Sequence, residues 1–148
     1  MKPKFIADEM LGKLARWLRL LGYDTEYGGD DSEIISRGLS DDRIILSRDK
    51  ELIRRASSIG ARALLVSNEK IEGQLAQLLS ENLIDIESGE SRCPMCNGEV
   101  KYSNGIWVCI KCGKKYWIGR HWKSIREVLR RVRSIARPRD GRNFSQAG

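Results

Sequence analysis

Apolar residues in positions 1–90 fall into two alternating patterns. Short continuous runs give way to stretches with helical spacing, then return. Lys4-Phe5-Ile6-Ala7 reads as a buried strand that ends at Asp8-Glu9. Leu11, Leu14, Ala15, Leu18 and Leu21 then share one helical face, with Lys13, Arg16 and Arg19 elsewhere and Gly22 as the stop. Thr25-Glu26-Tyr27 reads as a short strand. Gly28-Gly29 lead to Asp30-Asp31, which cap a short helix through Ile34-Ile35. Ile44-Ile45-Leu46 is the clearest buried strand, followed by Ser47-Arg48-Asp49 and a helix from Lys50 to Ser58 that closes at Gly60. Ala63–Val66 is another strand. Ser67 or Asn68 is expected to cap a helix running to about Glu81, with Leu75, Leu78 and Leu79 inward, and Leu83–Ile86 reads as a last strand. Strand and helix alternate with short connections, which implies an α/β fold with a mostly parallel sheet covered on both faces.

Beyond residue 90 the pattern changes. Val100–Tyr102 and Ile106–Val108 flank Asn104-Gly105, a strong hairpin signal. From Trp122 onward, Ile125, Val128, Leu129, Val132 and Ile135 recur at helical spacing, with Arg126, Arg130, Arg131 and Arg133 on other faces and Pro138 ending the pattern. This amphipathic stripe is expected to dock on the hairpin region or on the body. The expected division is an α/β domain at 1–90, a ribbon at 91–119, a basic helix at 120–137 and a disordered tail at 138–148, where apolar residues are few. No apolar run approaches the ~20 residues that a membrane span needs.

Charge sharpens this division. The chain of 148 residues carries a net charge of +7, unevenly spread. Residues 1–92 hold 14 Lys/Arg and 17 Asp/Glu, whereas residues 113–148 hold 11 Lys/Arg against Glu127 and Asp140. An acidic body with a basic tail points to a polyanionic partner, and nucleic acid fits best.

All four cysteines lie in two pairs, Cys93-Pro94-Met95-Cys96 and Cys109-Ile110-Lys111-Cys112. Two such turns supply a tetrahedral shell of four thiolates, which suits zinc and leaves no position open for a reacting water, so the expected role is structural. Disulfides would need an oxidising compartment. Lys2-Pro3-Lys4 leads straight into a short apolar run and then acids, unlike a secretory leader, so a cytoplasmic setting is expected. The only histidine, His121, lies outside the pairs and reads as a hydrogen-bonded structural residue.

In a parallel sheet, ligands sit beyond the carboxyl ends of the strands. Asp8 and Glu9 follow the first strand, Asp49 follows the central one, and Asp31 opens a helix that can reach the same edge. Carboxylates gathered there repel one another unless a cation sits among them, and Mg²⁺ or Mn²⁺ prefers such oxygen ligands. That arrangement can activate water for phosphodiester cleavage. Plainer roles exist: Asp31 and Asp49 can be helix N-caps and Glu9 a surface acid near a helix start, while Asp8 ends a buried strand and needs a partner.

The stretch Phe5–Asp24, together with Ile45-Leu46-Ser47-Arg48-Asp49-Lys50, Ser91–Gly98 and Cys112–Trp122, resembles the Mut-seven C-terminal RNase domain family over about residues 4–130. The resemblance implies a PIN-like nuclease domain followed by a zinc ribbon, cutting single-stranded RNA with divalent metal. By position it implies Asp8, Asp31 and Asp49 as catalytic acids. PIN domains usually add a fourth ligand; Asn68 and Glu69 are candidates, with Glu9 and Asp30 as further acids. Candidate RNA contacts are Arg16, Arg19, Arg48, Lys114, Lys115, Arg120, Trp122, Lys123, Arg126 and Arg130. Trp107, Trp117 and Trp122 can stack on unpaired bases, but such aromatics more often pad the thin core of a small ribbon. A non-catalytic RNA- or ribosome-binding protein, or a toxin-like nuclease held by an antitoxin partner, are the competing expectations.

Overall fold

Four parallel strands carry the body: β1 (Lys4–Ala7), β2 (Thr25–Tyr27), β3 (Arg43–Ser47) and β4 (Ala63–Leu65), in the order β2-β1-β3-β4. The computed structural model describes residues 2–87, 89–117 and 119–136, without the side chains of 119–121. The side chains of Arg120 and His121 and the tail expected at 138–148 therefore lie outside what is described. Helices α1 (Gly12–Leu20), α2 (Asp31–Ser40), α3 (Lys50–Ser58) and α4 (Ile71–Ser80) follow the strands in turn.

Successive strand residues point to opposite faces, so each apolar run feeds two cores. Phe5, Ala7, Ile44 and Leu46 join Leu14, Leu18, Leu75 and Leu78 of α1 and α4 on one face. Ile6 and Ile45 join Ile34, Ile35, Leu52 and Ala56 of α2 and α3 on the other. Burial on both faces explains why β1 and β3 read as continuous apolar runs rather than alternating ones.

Leu83–Ile86 is not a strand. Its apolar residues are satisfied by packing: Ile84 is buried, and Leu83 and Ile86 lie against the α1/α4 core. The Tyr23 hydroxyl accepts from the Asp85 N–H (2.6 Å) and donates to the Asp85 carbonyl (3.3 Å), meeting backbone needs that a sheet partner would otherwise meet. α4 also starts later than expected. Asn68 Oδ1 accepts from the Lys70 N–H (3.1 Å) in a turn before the helix, and Lys70 itself stands at the cap without a side-chain bond.

A second sheet is antiparallel, with β5 (Val100–Ser103), β6 (Ile106–Cys109) and β7 (Lys115–Trp117) in sequence order. Asn104 and Gly105 both take positive φ (51° and 78°), as a tight two-residue hairpin turn requires. β7 was not expected. The long helix α5 (Gly119–Ala136) packs along α4, with Val132 fully buried and Val128, Leu129 and Ala136 against the main core, so its stripe docks on the body. Its first turns also reach the ribbon, where Trp122 meets Trp107 edge-to-face (centroids 5.1 Å apart).

The ribbon seats on the edge strand β2 through buried polar contacts. Asn97 Oδ1 accepts from the Thr25 N–H (3.0 Å) and its amide donates to Asp24 (2.7 Å). Arg19 is buried rather than exposed. Its guanidinium donates to the Thr25 and Pro94 carbonyls, both at 2.8 Å, which removes it from the expected RNA contacts. Asp24 in turn accepts from Arg43 (2.9 Å).

Burial pushes the Asp24 carboxyl up, but hydrogen bonds from Arg43 and Asn97 and the charges of Arg43 and Arg92 outweigh it and hold the group below the ordinary carboxylate range. A folded value below the unfolded one stabilises the fold above the unfolded value near ~4, and that contribution is lost as pH falls through the lower folded value. Urea midpoints should therefore show Asp24→Asn less stable than wild type at pH ~7, with the gap closing below pH ~4. An equal gap at both pH values would contradict this.

Candidate active site and metal centre

Chain winding changes direction at β1. The crossover through α1 leads to β2 on one side, and the crossover through α2 returns to β3 on the other. The segments leaving β1 and β3 must therefore part, opening a crevice at their carboxyl ends. Asp8 and Asp49 stand on its two lips. Gly28 and Gly29, with φ of 85° and 113°, turn the chain after β2 so that Asp30 and Asp31 begin α2 at the same edge.

The resulting cleft has a volume of about 480 Å³ and is lined by Asp8, Glu9, Met10, Asp30, Asp31, Ser32 and Asp49, among others. Asp8 is only 8% exposed. Its Oδ1 accepts from the Met10 N–H (3.0 Å), capping a short 3₁₀ turn at Glu9–Leu11, and its Oδ2 accepts from the Ser47 hydroxyl. Ser47 Oγ accepts in turn from the Asp49 N–H (2.9 Å). A hydrogen-bonded chain thus links the two lips. Asp49 caps α3, its Oδ1 taking the Glu51 and Leu52 N–H groups (2.9 and 3.4 Å). Asp30 caps α2 in a reciprocal arrangement with Glu33, and Asp31 at the first helical position pairs with Arg55 (3.6 Å). Helix N-termini favour carboxylates, so capping and clustering reinforce each other.

The cleft thus brings together Asp8, Asp31, Asp49, Glu9 and Asp30. Asn68 and Glu69 lie outside it. Asn68 lines a separate cavity of about 220 Å³ beside Gly73 and Gln77, and its carbonyl accepts from Arg48 (2.8 Å). Ser47 and Arg55 were missed as site residues. A hydroxyl closing a buried apolar strand was the available signal for Ser47; nothing local marked Arg55, whose partner sits on another helix. The oxygen-only donor set of the cleft suits a hard divalent cation that keeps part of its water shell.

The four cysteine sulfurs all lie within 4.8 Å of one another, and among the described residues they form the one group of such side chains that converges on a point. Cys93–Cys112 and Cys96–Cys109 separations are 3.7 and 3.4 Å. Tetrahedral zinc with Zn–S bonds of ~2.3 Å spaces its sulfurs at ~3.8 Å, whereas a disulfide needs ~2.05 Å. The set can hold zinc. Each pair folds as the same knuckle, with the Cys93 carbonyl accepting from Asn97 N–H (2.8 Å) and the Cys109 carbonyl from Gly113 N–H (2.9 Å). Asn97 and Gly113 then take positive φ. A Cβ on Gly98 would meet the Cys109 and Cys96 sulfurs at 3.0 and 3.1 Å, so the backbone is drawn tightly around the thiols. Burial pushes the Cys109 thiol up, but N–H donors of Cys112 and Lys111 and the neighbouring thiols of Cys96 and Cys112 outweigh it, holding it at about 6. A thiol so poised ionises readily on meeting a metal.

Arg16, Lys114, Lys115, Lys123, Arg126 and Arg130 are exposed and Arg48 is half-buried. Trp122 is half-buried and packs edge-to-face against Trp107, as the core reading of the tryptophans expects.

The fold and sites define a class: a parallel α/β domain whose switch-point crevice is lined with carboxylates, joined to a four-cysteine ribbon. Residues 3–105, more than two thirds of the chain, match the Mut7-C RNAse domain, and the chain belongs to that family. The match ends between the cysteine pairs, so Cys109, Cys112 and α5 lie beyond it. No curated protein and no solved structure matches the chain.

Elemental analysis of purified protein should find about one zinc per chain. Cys93→Ser should lower that stoichiometry and abolish the Trp107–Trp122 contribution to near-UV circular dichroism, whereas a folded, metal-free wild type would contradict the assignment. Ser47→Ala should destabilise the fold by about 1–3 kcal/mol in urea unfolding, because Asp8 loses a buried donor; no measurable change would contradict that link.

Proposed function

We propose that the protein is a metal-dependent endoribonuclease that hydrolyses phosphodiester bonds of single-stranded RNA, built as a PIN-like domain over residues 1–90. The reading rests on one observation above the rest. Asp8, Asp31 and Asp49 open onto one cleft at the switch point of a domain in the Mut7-C RNAse family. Asp8 and Asp49 would hold Mg²⁺ or Mn²⁺ from opposite lips, with Asp31 beside them and Glu9 and Asp30 at the rim. When bound, such an ion supplies Lewis acidity and a more acidic water.

The chain's own residues do the positioning. Ser47 and the Met10 N–H fix both oxygens of Asp8, so the carboxylate does not reorient when substrate arrives. Capping of α3 fixes Asp49. Arg55, paired with Asp31 at the surface, is placed to exchange that carboxylate for a substrate phosphate. The ribbon (91–119), held by structural zinc, and the basic helix (120–137) would carry RNA phosphates on Lys114, Lys115, Lys123, Arg126 and Arg130, with Arg16 and Arg48 on the body. Thiols kept as metal ligands suit a reducing, cytoplasmic setting. Among the described residues no helix is long and apolar enough to cross a membrane.

One observation favours a second reading, in which the protein binds RNA without cutting it. Asp8, Asp30 and Asp49 each make a helix-capping bond, and capping alone is a sufficient reason for an acid at those positions.

Incubation of zinc-loaded protein with mixed single-stranded RNA and Mn²⁺ or Mg²⁺ separates the two. Wild type should cleave, and Asp8→Asn and Asp49→Asn should each lose about a hundredfold or more, since several kcal/mol of charge stabilisation is at stake. Salt-sensitive binding without cleavage would favour the second reading, and equal cleavage by all three proteins would refute the assigned acids.

A further inference from the structure

The ribbon sheet has two unlike faces. On one, Trp107 is buried against Trp122, and Tyr116, which pairs with Trp107 across the strands, places its hydroxyl 3.3 Å from Cys93 Sγ. That face is core. On the other, cross-strand register lines up Lys101, Val108 and Lys115 in one row and Ser103, Ile106 and Trp117 in the next. Both lysines are exposed, Val108 and Ile106 are half-buried, and Trp117 is 67% exposed.

An indole left in water on a sheet face forgoes the largest burial gain that a side chain can offer, and here nothing in the fold's core requires it to do so. Its surroundings say what suits it. No carboxylate stands in either row, and residues 93–117 carry four lysines against the single acid Glu99. Neighbouring rows on one face lie ~7 Å apart along the strand, and adjacent strands ~5 Å apart across it. A base can therefore rest on Trp117 and Ile106 while the phosphates beside it meet the two ammonium groups. A flat, cationic, aromatic surface is how proteins hold unpaired nucleic acid without reading its sequence.

We propose that this outer face, made by Lys101, Ile106, Val108, Lys115 and Trp117, is a stacking platform for a single-stranded stretch of RNA. The inference rests on the reading of the protein as an RNA-acting enzyme and adds to it the surface and the mode of contact. Trp117 is the stacking residue, Lys101 and Lys115 hold phosphate, and Trp107 and Trp122 stay internal.

The test uses the full zinc-loaded chain and a short fluorescein-labelled oligouridylate, with no added Mg²⁺ or Mn²⁺, so that binding is read apart from cleavage. Trp117→Ala should weaken binding about tenfold or more, and Trp117→Phe should recover most of the loss. Replacing Lys101 and Lys115 together by Ala should reduce the slope of log affinity against log salt by about 1.4. Zinc content and circular dichroism of each variant must match wild type. Wild-type affinity in Trp117→Ala and in the lysine double variant would overturn the platform, as would a wild type that does not bind the oligonucleotide and is captured only by protein partners. The two claims fail separately. Cleavage that needs Asp8 but ignores Trp117 in binding overturns only the platform, whereas weakened binding by Trp117→Ala in a protein that never cleaves supports the platform and removes the nuclease.

Discussion

The hydrogen-bonded chain from the Asp49 N–H through Ser47 to Asp8 is the contact on which the candidate site depends. It spans the split between β1 and β3, where two neighbouring parallel strands send their connections away from each other. The split opens a crevice, but an open crevice does not by itself hold two carboxylates in fixed positions. Capping of α3 fixes the carboxylate of Asp49, and Ser47 fixes that of Asp8, because its hydroxyl is buried and must both donate and accept. It donates to the acid on one lip and accepts from the backbone of the other. The remaining acids are then placed by ordinary helix capping, at the starts of α2 and α3. The gathering of acids around the cleft is thus a consequence of topology and capping together.

The ribbon's attachment follows similar economy. A parallel sheet leaves β2 as an edge with an unpaired backbone, which most folds must cover. The first cysteine knuckle covers it. Asn97 takes the left-handed conformation that ends the knuckle, and the same turn directs its amide onto Thr25 and Asp24. The buried Arg19 reaches the knuckle's Pro94 carbonyl from the body's side. The cysteine cluster and the cover of the sheet edge therefore share one turn, and α5 closes the joint by packing on α4 and, through Trp122, on the ribbon.

Much of this was legible in the chain. Continuous apolar runs marked β1 and β3 because both faces are covered, helical spacing marked α1, α3 and α5, and Asn104-Gly105 marked the hairpin. The acids stood directly after the strands that topology brings together. What escaped reading depends on partners distant in sequence. Leu83–Ile86 has strand-like composition, but Tyr23, more than fifty residues earlier, satisfies its backbone. Arg19 looked like a surface charge because its acceptors lie in β2 and in the first cysteine knuckle. β7 is three residues long and mostly exposed, too short for any period to show. Asn68 and Glu69 follow the last strand at the correct edge of the sheet, yet β4 lies beyond β3, one strand away from the crevice.

We propose that the acids around the crevice between β1 and β3 form a divalent-cation site. Anomalous diffraction from crystals of the zinc-loaded protein soaked in Mn²⁺ tests it most directly. A manganese peak is expected in the cleft, within ligand distance of Asp8 and Asp49, separate from zinc at the four cysteines. Full Mn²⁺ exposure with anomalous signal at the cysteines alone, and none in the cleft, would contradict it.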